Sequence, residues 1–307
     1  MPRALQRGWY NRIYLHEMNE TGVTAVLLLS CPDQKGLVAS VSDFLYRNDG
    51  NIIHADQHTD AEEGIFLQRV EWELAGFRIP REEISEAFRP IAERFGMTWR
   101  LHFSDYLPRI AVFVSKEAHC MYDLLARQRM GEFRAEIPLV ISNHPDLRSV
   151  AESALGGGAA YHHFPITAKT KAAQEQAIIE TLEVQRIDLI VLARYMQILT
   201  DDLVARYPGR IINIHHSFLP AFAGARPYHQ AYERGVKVIG ATAHYVTAEL
   251  DQGPIIDQDV VRVSHRDSVA DMVRKGRDLE KVVLARAVDL HLRNRIIVYG
   301  NRTVVFD

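Results

Sequence analysis

The sequence Ile187-Asp188-Leu189-Ile190-Val191-Leu192-Ala193 is an almost unbroken run of branched apolar residues. A run of this length without polar alternation is typical of a strand that is buried on both faces of a sheet. Three further strand candidates have the same character: Ile110–Ser115, Ile137–Asn143 and Arg210–His215. The stretches between them show helical spacing: 119–129, 146–155 and 171–186. Buried strands that alternate with helices predict a doubly wound, mostly parallel sheet.

The chain after these strands carries two more strand candidates, Val236–Val246 and Pro254–Val263. A turn at Asp251-Gln252-Gly253 separates them, because these residue types favour a reversal of the chain. A long helix over about 268–291 and a terminal hairpin near 296–306 complete the pattern.

The first hundred residues have a different order. Apolar and alternating segments predict four strands and two helices: strands over 23–30, 52–59, 65–74 and 97–103, and helices over 36–48 and after Pro80. In the third strand Val70, Trp72 and Leu74 alternate with charged residues, which predicts one face exposed to water. The order βαββαβ is that of a ferredoxin-like split βαβ sandwich.

These patterns predict an α/β protein in four parts. We expect an N-terminal tail over 1–21, a βαββαβ domain over 22–104, a linker over 105–109 and a doubly wound domain over 110–307.

Composition excludes several classes of protein. The 307 residues include 36 basic and 39 acidic side chains, so the formal net charge of -3 argues against a nucleic-acid partner. No apolar run approaches the roughly 18 residues that span a membrane. Cys31 and Cys120 are too few for a disulfide framework, and the N-terminus lacks the apolar core of a secretion signal. We therefore expect a cytoplasmic protein without a membrane or nucleic-acid partner.

The carboxyl end of one predicted strand carries two polar side chains with catalytic potential. Asn213 and His215 lie two residues apart, about 6.6 Å along a strand, and so face the same side. An amide and an imidazole at this edge of a parallel sheet can converge on one ligand atom. The alternative is that Asn213 caps a turn and His215 is a core histidine.

Asp251 and the segment Met196–Leu199 are the other candidates. A carboxylate near His215 favours the charged imidazolium, and Asn, His and Asp together can polarise a carbonyl and move protons. An aspartate that merely opens a turn is the alternative for Asp251. The segment Met196-Gln197-Ile198-Leu199 follows the 187–193 strand and can line a pocket, or can simply begin a helix.

Several long motifs resemble those of the formyltetrahydrofolate deformylase family. The resemblance covers about 22–307 and is carried by the following stretches: Cys31-Pro32-Asp33-Gln34-Lys35-Gly36-Leu37-Val38, Ile187 to Ala193, Asn213-Ile214-His215-His216-Ser217, Ala225-Arg226-Pro227-Tyr228-His229-Gln230-Ala231-Tyr232-Glu233-Arg234-Gly235 and Asp251-Gln252-Gly253-Pro254-Ile255-Ile256. The resemblance implies an N-terminal ACT-like regulatory domain and a catalytic domain of the formyltransferase fold. It also implies hydrolysis of 10-formyltetrahydrofolate to formate and tetrahydrofolate, which supplies formate for purine biosynthesis and balances the one-carbon folate pool.

The same resemblance implies roles for individual residues. Asn213 and His215 match the family's Asn-x-His pair, and Asp251 matches its essential aspartate. The backbone of Met196, Gln197, Ile198 and Leu199 matches the segment that holds the pterin, and we add His216 to the substrate-binding residues. Folate is then the substrate, and neither a cofactor nor a metal is implied. The 14 histidines show no spacing typical of a closed zinc site.

One feature favours a hydrolase over a transferase. Glycinamide ribonucleotide formyltransferases have a glycine-rich loop after the first strand of this fold, which cradles the acceptor's phosphate. Here Ser115-Lys116-Glu117-Ala118-His119-Cys120 contains no glycine, and His216 stands where the transferases usually have proline. Two alternatives remain open: a formyltransferase that acts on an amine acceptor, and a non-catalytic folate or amino-acid sensor.

The ACT-like domain implies regulation and assembly. Such modules bind amino acids at the turn after the first strand, often at a subunit interface, and glycine and methionine are the candidate effectors. Asp33, Lys35, Gly36 and Asn51 are expected near that site. We expect a homo-oligomer, a dimer or a tetramer, formed through this domain. The alternative is a domain that serves assembly alone.

Overall fold

The structure is a computed structural model that describes residues 22–155, 160–221 and 227–306. The predicted tail over 1–21 lies outside the described residues. The chain divides into two compact units, one that takes in the described residues up to Tyr106 together with Phe306, and one formed by Leu107–Val305.

The first unit is a four-stranded antiparallel sheet with two helices, and its sheet order is β2-β3-β1-β4. Its elements follow the order βαββαβ: β1 (Thr24–Pro32), α1 (Leu37–Arg47), β2 (Ile52–Asp60), β3 (Ile65–Glu73), α2 (Ile84–Phe95) and β4 (Thr98–Phe103). A short 3-10 turn, Arg81–Glu83, leads into α2 after Pro80. The apolar faces of both helices pack on the sheet around Trp72 and Phe88, which are both buried.

One expectation for this sheet is met only in part. The alternation in β3 predicts a face open to water, and Glu71 and Glu73 on that face are partly exposed, but Arg69 on the same face is buried. Strand β3 is internal, with β2 on one side and β1 on the other, so long side chains from both neighbours cover it. The Arg69 guanidinium is compensated by the Glu71 carboxylate at 2.7 Å.

The second unit is built on a seven-stranded sheet. Its elements are β5 (Arg109–Val114), α3 (His119–Met130), β6 (Glu136–Ser142), α4 (Arg148–Leu155), β7 (Ala160–His163), α5 (Lys171–Val184), β8 (Leu189–Leu192), α6 (Asp201–Arg206), β9 (Ile211–His215), α7 (Pro227–Arg234), β10 (Val238–Tyr245), β11 (Ile255–Arg262), α8 (Val269–Leu292), β12 (Ile296–Tyr299) and β13 (Arg302–Val305). The short elements β7, α6 and α7 have no counterpart in the sequence-based expectation, because a strand of four residues and helices of about two turns leave little periodic signal.

The sheet order is β11-β10-β9-β8-β5-β6-β7. Strands β5 to β9 pair in parallel, while β10 is antiparallel to both β9 and β11. Apolar side chains cover both faces, one cluster lying against α3 and α8 and the other against α5. The strand order reverses between β5 and β8, so the crevice outside their carboxyl ends is the switch point at which open α/β sheets bind ligands.

Among the helices in the described ranges, none combines the length and the apolar composition that a membrane span requires.

Candidate active site

Strands β9 and β10 place the side chains of Asn213 and His244 next to each other. Their antiparallel register sets His244 opposite Asn213. The Nδ2 atom of Asn213 lies 3.2 Å from Nε2 of His244. The other ring nitrogen of His244, Nδ1, lies 2.9 Å from the carbonyl oxygen of Tyr245 and must donate to it, since a carbonyl only accepts. In the neutral ring Nε2 therefore accepts a hydrogen bond from the Asn213 amide.

Asp251 reaches the same group from the turn between β10 and β11. Its backbone is left-handed, with φ of 55°, a conformation that only Gly, Asn and Asp adopt readily. Gly253 makes the turn tight, because a Cβ at this position would collide with the carbonyl oxygen of Tyr245. The carboxylate lies 3.3 Å from Nδ1 of His215 and 3.8 Å from Nε2 of His244.

These contacts form a continuous chain, Asn213–His244–Asp251–His215. The structure thus brings together Asn213, His215 and Asp251, the three residues that the sequence singles out, and adds His244. The register of β10 against β9 is what identifies His244 as a member of the site. In the sequence its neighbours are apolar or small, and the available signal is only that a histidine lies on the strand before the turn with Asp251.

Electrostatics assigns a charge to each group. The hydrogen bond to His215 lowers the pKa of Asp251 despite partial burial, and the nearby histidines lower it further, so the carboxyl is ionised. Burial lowers the pKa of His244, which keeps this ring neutral at neutral pH. Burial and the Arg194 charge lower the pKa of His216 to about 4.

His215 is prepared for a ligand on its free side. Its Nδ1 faces the carboxylate, whereas its Nε2 is buried and has no hydrogen-bond partner among the described residues. A buried polar atom without a partner carries a desolvation penalty of about 1–3 kcal/mol, which a substrate atom can relieve.

A cavity of about 500 Å³ opens beside Asp251, and this volume is ordinary for a small-molecule site. The loop between β12 and β13 forms one wall of it. Asn301 Nδ2 donates to the carbonyl oxygen of Gln252 at 2.9 Å, and Thr303 Oγ1 donates to that of Ile255 at 2.6 Å. The terminal hairpin therefore holds the turn that carries Asp251 and the start of β11.

The predicted pterin segment follows β8. Met196 and Ile198 are 58% and 59% exposed, Gln197 is half-buried and Leu199 is buried. The backbone N–H of Met196 donates to Ser115 Oγ at 2.9 Å, which fixes the start of the segment. His216 stacks on His215 with ring centroids 5.2 Å apart. The assignment of these five residues to substrate binding remains a prediction.

A second buried polar cluster lies at the carboxyl ends of β5 and β8. Ligand-type atoms of His119, Cys120 and Glu280 lie within 4.8 Å of one another. Hydrogen bonds from His119 and Tyr228 already occupy the Glu280 carboxylate, and burial raises the pKa of the Cys120 thiol. This cluster is thus an ion-pair network rather than a ready set of metal ligands.

The four predicted effector residues do not meet within one chain. Asp33, Lys35 and Gly36 lie in the loop after β1, where Asp33 N donates to the carbonyl oxygen of Gly64. Asn51 lies at the other end of β3 and donates to the Glu73 carboxylate at 2.6 Å. The nine residues of β3 separate the two places by roughly 25–30 Å, because a strand rises about 3.3 Å per residue. Within one chain these residues therefore lie at two separate places, and the effector site stays a prediction.

Two models of known protein families match this chain. Residues 108–288 match the formyl transferase family model, and residues 25–93 match the ACT domain model. A formyltetrahydrofolate deformylase from Synechocystis sp. is 63% identical over 284 residues, which cover 92% of this chain and 99% of that protein. The chain belongs to the formyltetrahydrofolate deformylase family.

Solved structures agree with this membership of the deformylase family. The crystal structure of a formyltetrahydrofolate deformylase from Pseudomonas syringae pv. tomato superimposes with a TM-score of 0.91 at 47% identity, over 97% of this chain and 99% of that one. A glycinamide ribonucleotide transformylase from Symbiobacterium toebii matches with a TM-score of 0.61 at 33% identity, over 68% of this chain and 98% of that one. Deformylases therefore match nearly the whole chain, whereas this transformylase matches about two thirds of it.

Proposed function

We propose that this protein hydrolyses 10-formyltetrahydrofolate to formate and tetrahydrofolate. The observation that carries the proposal is the chain Asn213–His244–Asp251–His215, which ends in an unpartnered imidazole nitrogen. Its polar groups suit attack of water on a formyl group, and the relatives that match nearly the whole chain are named formyltetrahydrofolate deformylases.

Asn213 and His215 stabilise the charge that develops on the formyl oxygen. One N–H of the Asn213 amide is held by His244, so the second N–H can point to the substrate. The Asp251 carboxylate lies 3.3 Å from Nδ1 of His215, and the Nε2–H of the imidazolium ring donates to the same formyl oxygen. Each donor of this kind contributes about 10² to 10³ in rate, or roughly 3 to 4 kcal/mol.

Asp251 also accepts the proton of the attacking water. One carboxylate oxygen faces His215, and the other lies 3.8 Å from His244, beyond hydrogen-bond distance, and is open to a water. The water oxygen bonds to the formyl carbon as Asp251 takes its proton. Collapse of the adduct breaks the bond between that carbon and N10, N10 takes up a proton, and formate leaves. In this proposal water and the folate are the only reactants, and the side chains of the site carry the proton transfers without a cofactor or a metal.

The test is incubation of the purified protein with 10-formyltetrahydrofolate alone. We expect formate and tetrahydrofolate in equal amounts, because water is the acceptor. A formyltransferase would release neither product until an amine was added, and a sensor would bind the folate without consuming it.

We extend the proposal to regulation and assembly. Asp33, Lys35 and Gly36 lie far from Asn51 within one chain, which favours an amino-acid site that draws on two copies and hence a dimer or tetramer formed through the ACT domain. Calorimetry with glycine and with methionine tests this role. No heat with either would favour a domain that serves assembly alone.

The cellular setting follows from the same proposal. Formate released here would serve purine biosynthesis and balance the one-carbon folate pool. Cys31 and Cys120 are both buried free thiols, a state that suits the reducing cytoplasm.

A further inference from the structure

The switch-point crevice of the second unit, outside the carboxyl ends of β5 and β8, is occupied by protein side chains. Glu280 of α8, only 1% exposed, lies at its centre. His119, the first residue of the helix that follows β5, and Arg194, two residues beyond β8, both reach this carboxylate. Side chains of the protein itself thus fill the place where sheets of this type normally bind a ligand.

Each oxygen of the Glu280 carboxylate has a partner in this network. The Tyr228 hydroxyl donates to Oε1 at 2.6 Å, and His119 Nε2 lies 2.8 Å from Oε2. The Nε atom of Arg194 lies 3.4 Å from the same Oε2, an ion pair without a hydrogen bond. Burial alone would raise the pKa of Glu280, but these partners outweigh it and lower the pKa, so the group is an anion with a donor on each oxygen.

Two features of the chain are unfavourable where this network closes. Arg194 holds a left-handed backbone with φ of 64°, which is strained for a residue other than glycine. Gly276 lies within α8 where a Cβ would collide with the Tyr228 hydroxyl, and glycine is less favourable inside a helix than alanine. The buried ion pair itself is a weak source of stability, since apolar residues of similar volume often serve as well. Such costs at one place indicate a function.

The network adjoins the catalytic imidazole. The ring centroids of His215 and His216 are 5.2 Å apart, and those of His216 and Tyr228 are 6.1 Å apart. Two neighbouring rings therefore connect the site of formyl chemistry to the filled crevice. A second substrate that attacked the formyl carbon from this direction would have to occupy the volume of Tyr228, His119 and Arg194.

We propose that Glu280, with His119, Arg194 and Tyr228 closed around it, selects water over amines as the acceptor of the formyl group. This inference rests on the hydrolysis proposed above. An amine is a stronger nucleophile than water, so a hydrolase must keep amines out of the site. An amine also carries substituents, and these need more room than a water molecule does. The closed network leaves no such room, and an incoming N–H would have to compete with Tyr228 and His119 for the two carboxylate oxygens.

An opened network would permit a different reaction. The nitrogen of a small amine would bond to the formyl carbon, the bond from that carbon to N10 would break, and N10 would take up the proton that the amine loses. The products are an N-formyl amine and tetrahydrofolate, without consumption of water.

The experiment measures how the formyl group divides between water and glycinamide. His119→Ala removes one side chain of the network and its hydrogen bond to Oε2, whereas the matched control His119→Gln keeps an N–H donor and similar volume. We expect wild type and His119→Gln to give formate alone, and His119→Ala to raise the ratio of N-formylglycinamide to formate by about tenfold or more. Tyr228→Phe, which frees Oε1 with little change of shape, should do the same.

The inference is overturned if wild type formylates glycinamide as readily as His119→Ala and Tyr228→Phe do. It is also overturned if these two variants fold and release formate but form no N-formylglycinamide. A further measurement needs no variant: glycinamide should not slow formate release by wild type, and competition would contradict a closed crevice. Formate release without glycinamide, measured on the same wild-type sample, separates these outcomes from a failure of the proposed hydrolysis.

Discussion

Replacement of Asp251 by asparagine tests the proposed site with the least disturbance of the chain. Asparagine has the shape of aspartate and tolerates the left-handed backbone at this position, whereas alanine would add strain there. The substitution removes one negative charge and the proton acceptor, and it leaves the turn and its hydrogen bonds to the terminal hairpin in place.

The expected loss of rate follows from the distance between the charged groups. The Asp251 carboxylate lies 3.3 Å from Nδ1 of His215. At an effective dielectric constant of about 20, a unit-charge pair at that distance interacts by about 5 kcal/mol, most of which stabilises the imidazolium. Since each 1.36 kcal/mol is tenfold in rate, kcat should fall by roughly 10³- to 10⁴-fold.

The assay is steady-state formate release with 10-formyltetrahydrofolate, together with the thermal unfolding midpoint. The variant should unfold near the wild-type temperature and keep its KM, because the carboxylate acts on the reacting atoms. Asp259→Asn is the matched control: it removes a partly exposed carboxylate of the same unit, paired with Arg286, and should leave kcat unchanged. A kcat for Asp251→Asn within tenfold of wild type would refute the assigned role.

Three further predictions follow from the same geometry. His244→Phe leaves the Asn213 amide without its acceptor, so kcat should fall by about 10- to 100-fold while KM changes little, and a fall below threefold in the same assay would contradict the orienting role. Asn301→Ala removes the bond to the Gln252 carbonyl and should lower kcat by about fivefold, with Asn301→Asp, an acceptor only, no better. Burial lowers the pKa of His216 to about 4, so between about pH 4 and 6.5 the unfolded chain binds more protons than the folded one, and the free energy of unfolding should rise with pH. His216→Leu should reduce the rise in the free energy of unfolding between about pH 5 and 7 by about 2 kcal/mol, as measured by urea titrations. An unchanged dependence of stability on pH would count against a neutral His216.

The strands of both units could be predicted because their patterns are strongly periodic or unbroken. The apolar run at 187–193 corresponds to β8 (Leu189–Leu192), and the βαββαβ order of the first hundred residues matches the first unit. The ends of strands differ from the prediction: the predicted strand over 23–30 stops before Cys31 and Pro32, yet both belong to β1, where they pair with Phe66 and Ile65.

Features that depend on register between distant strands could not be predicted. His244 reaches Asn213 only because β10 runs antiparallel to β9. The sequence of β10 does not show whether the strand runs parallel or antiparallel to its neighbour. Arg69 is buried because β3 is an internal strand, and alternation alone does not distinguish an internal strand from an edge strand.

The Glu280 network illustrates the same limit for side chains. Its members, His119, Arg194, Tyr228 and Glu280, are spread over 162 positions of the chain and share no motif. Gly276 was the only local hint, since a glycine inside a long helix often marks a close approach by another element.

Incubation in water enriched in ¹⁸O shows whether water is the acceptor of the formyl group. With 10-formyltetrahydrofolate as the sole substrate, we expect formate that carries one new ¹⁸O atom, formed in step with tetrahydrofolate and lost in Asp251→Asn. Unlabelled formate, or an intact substrate until an amine is supplied, would contradict hydrolysis at this site.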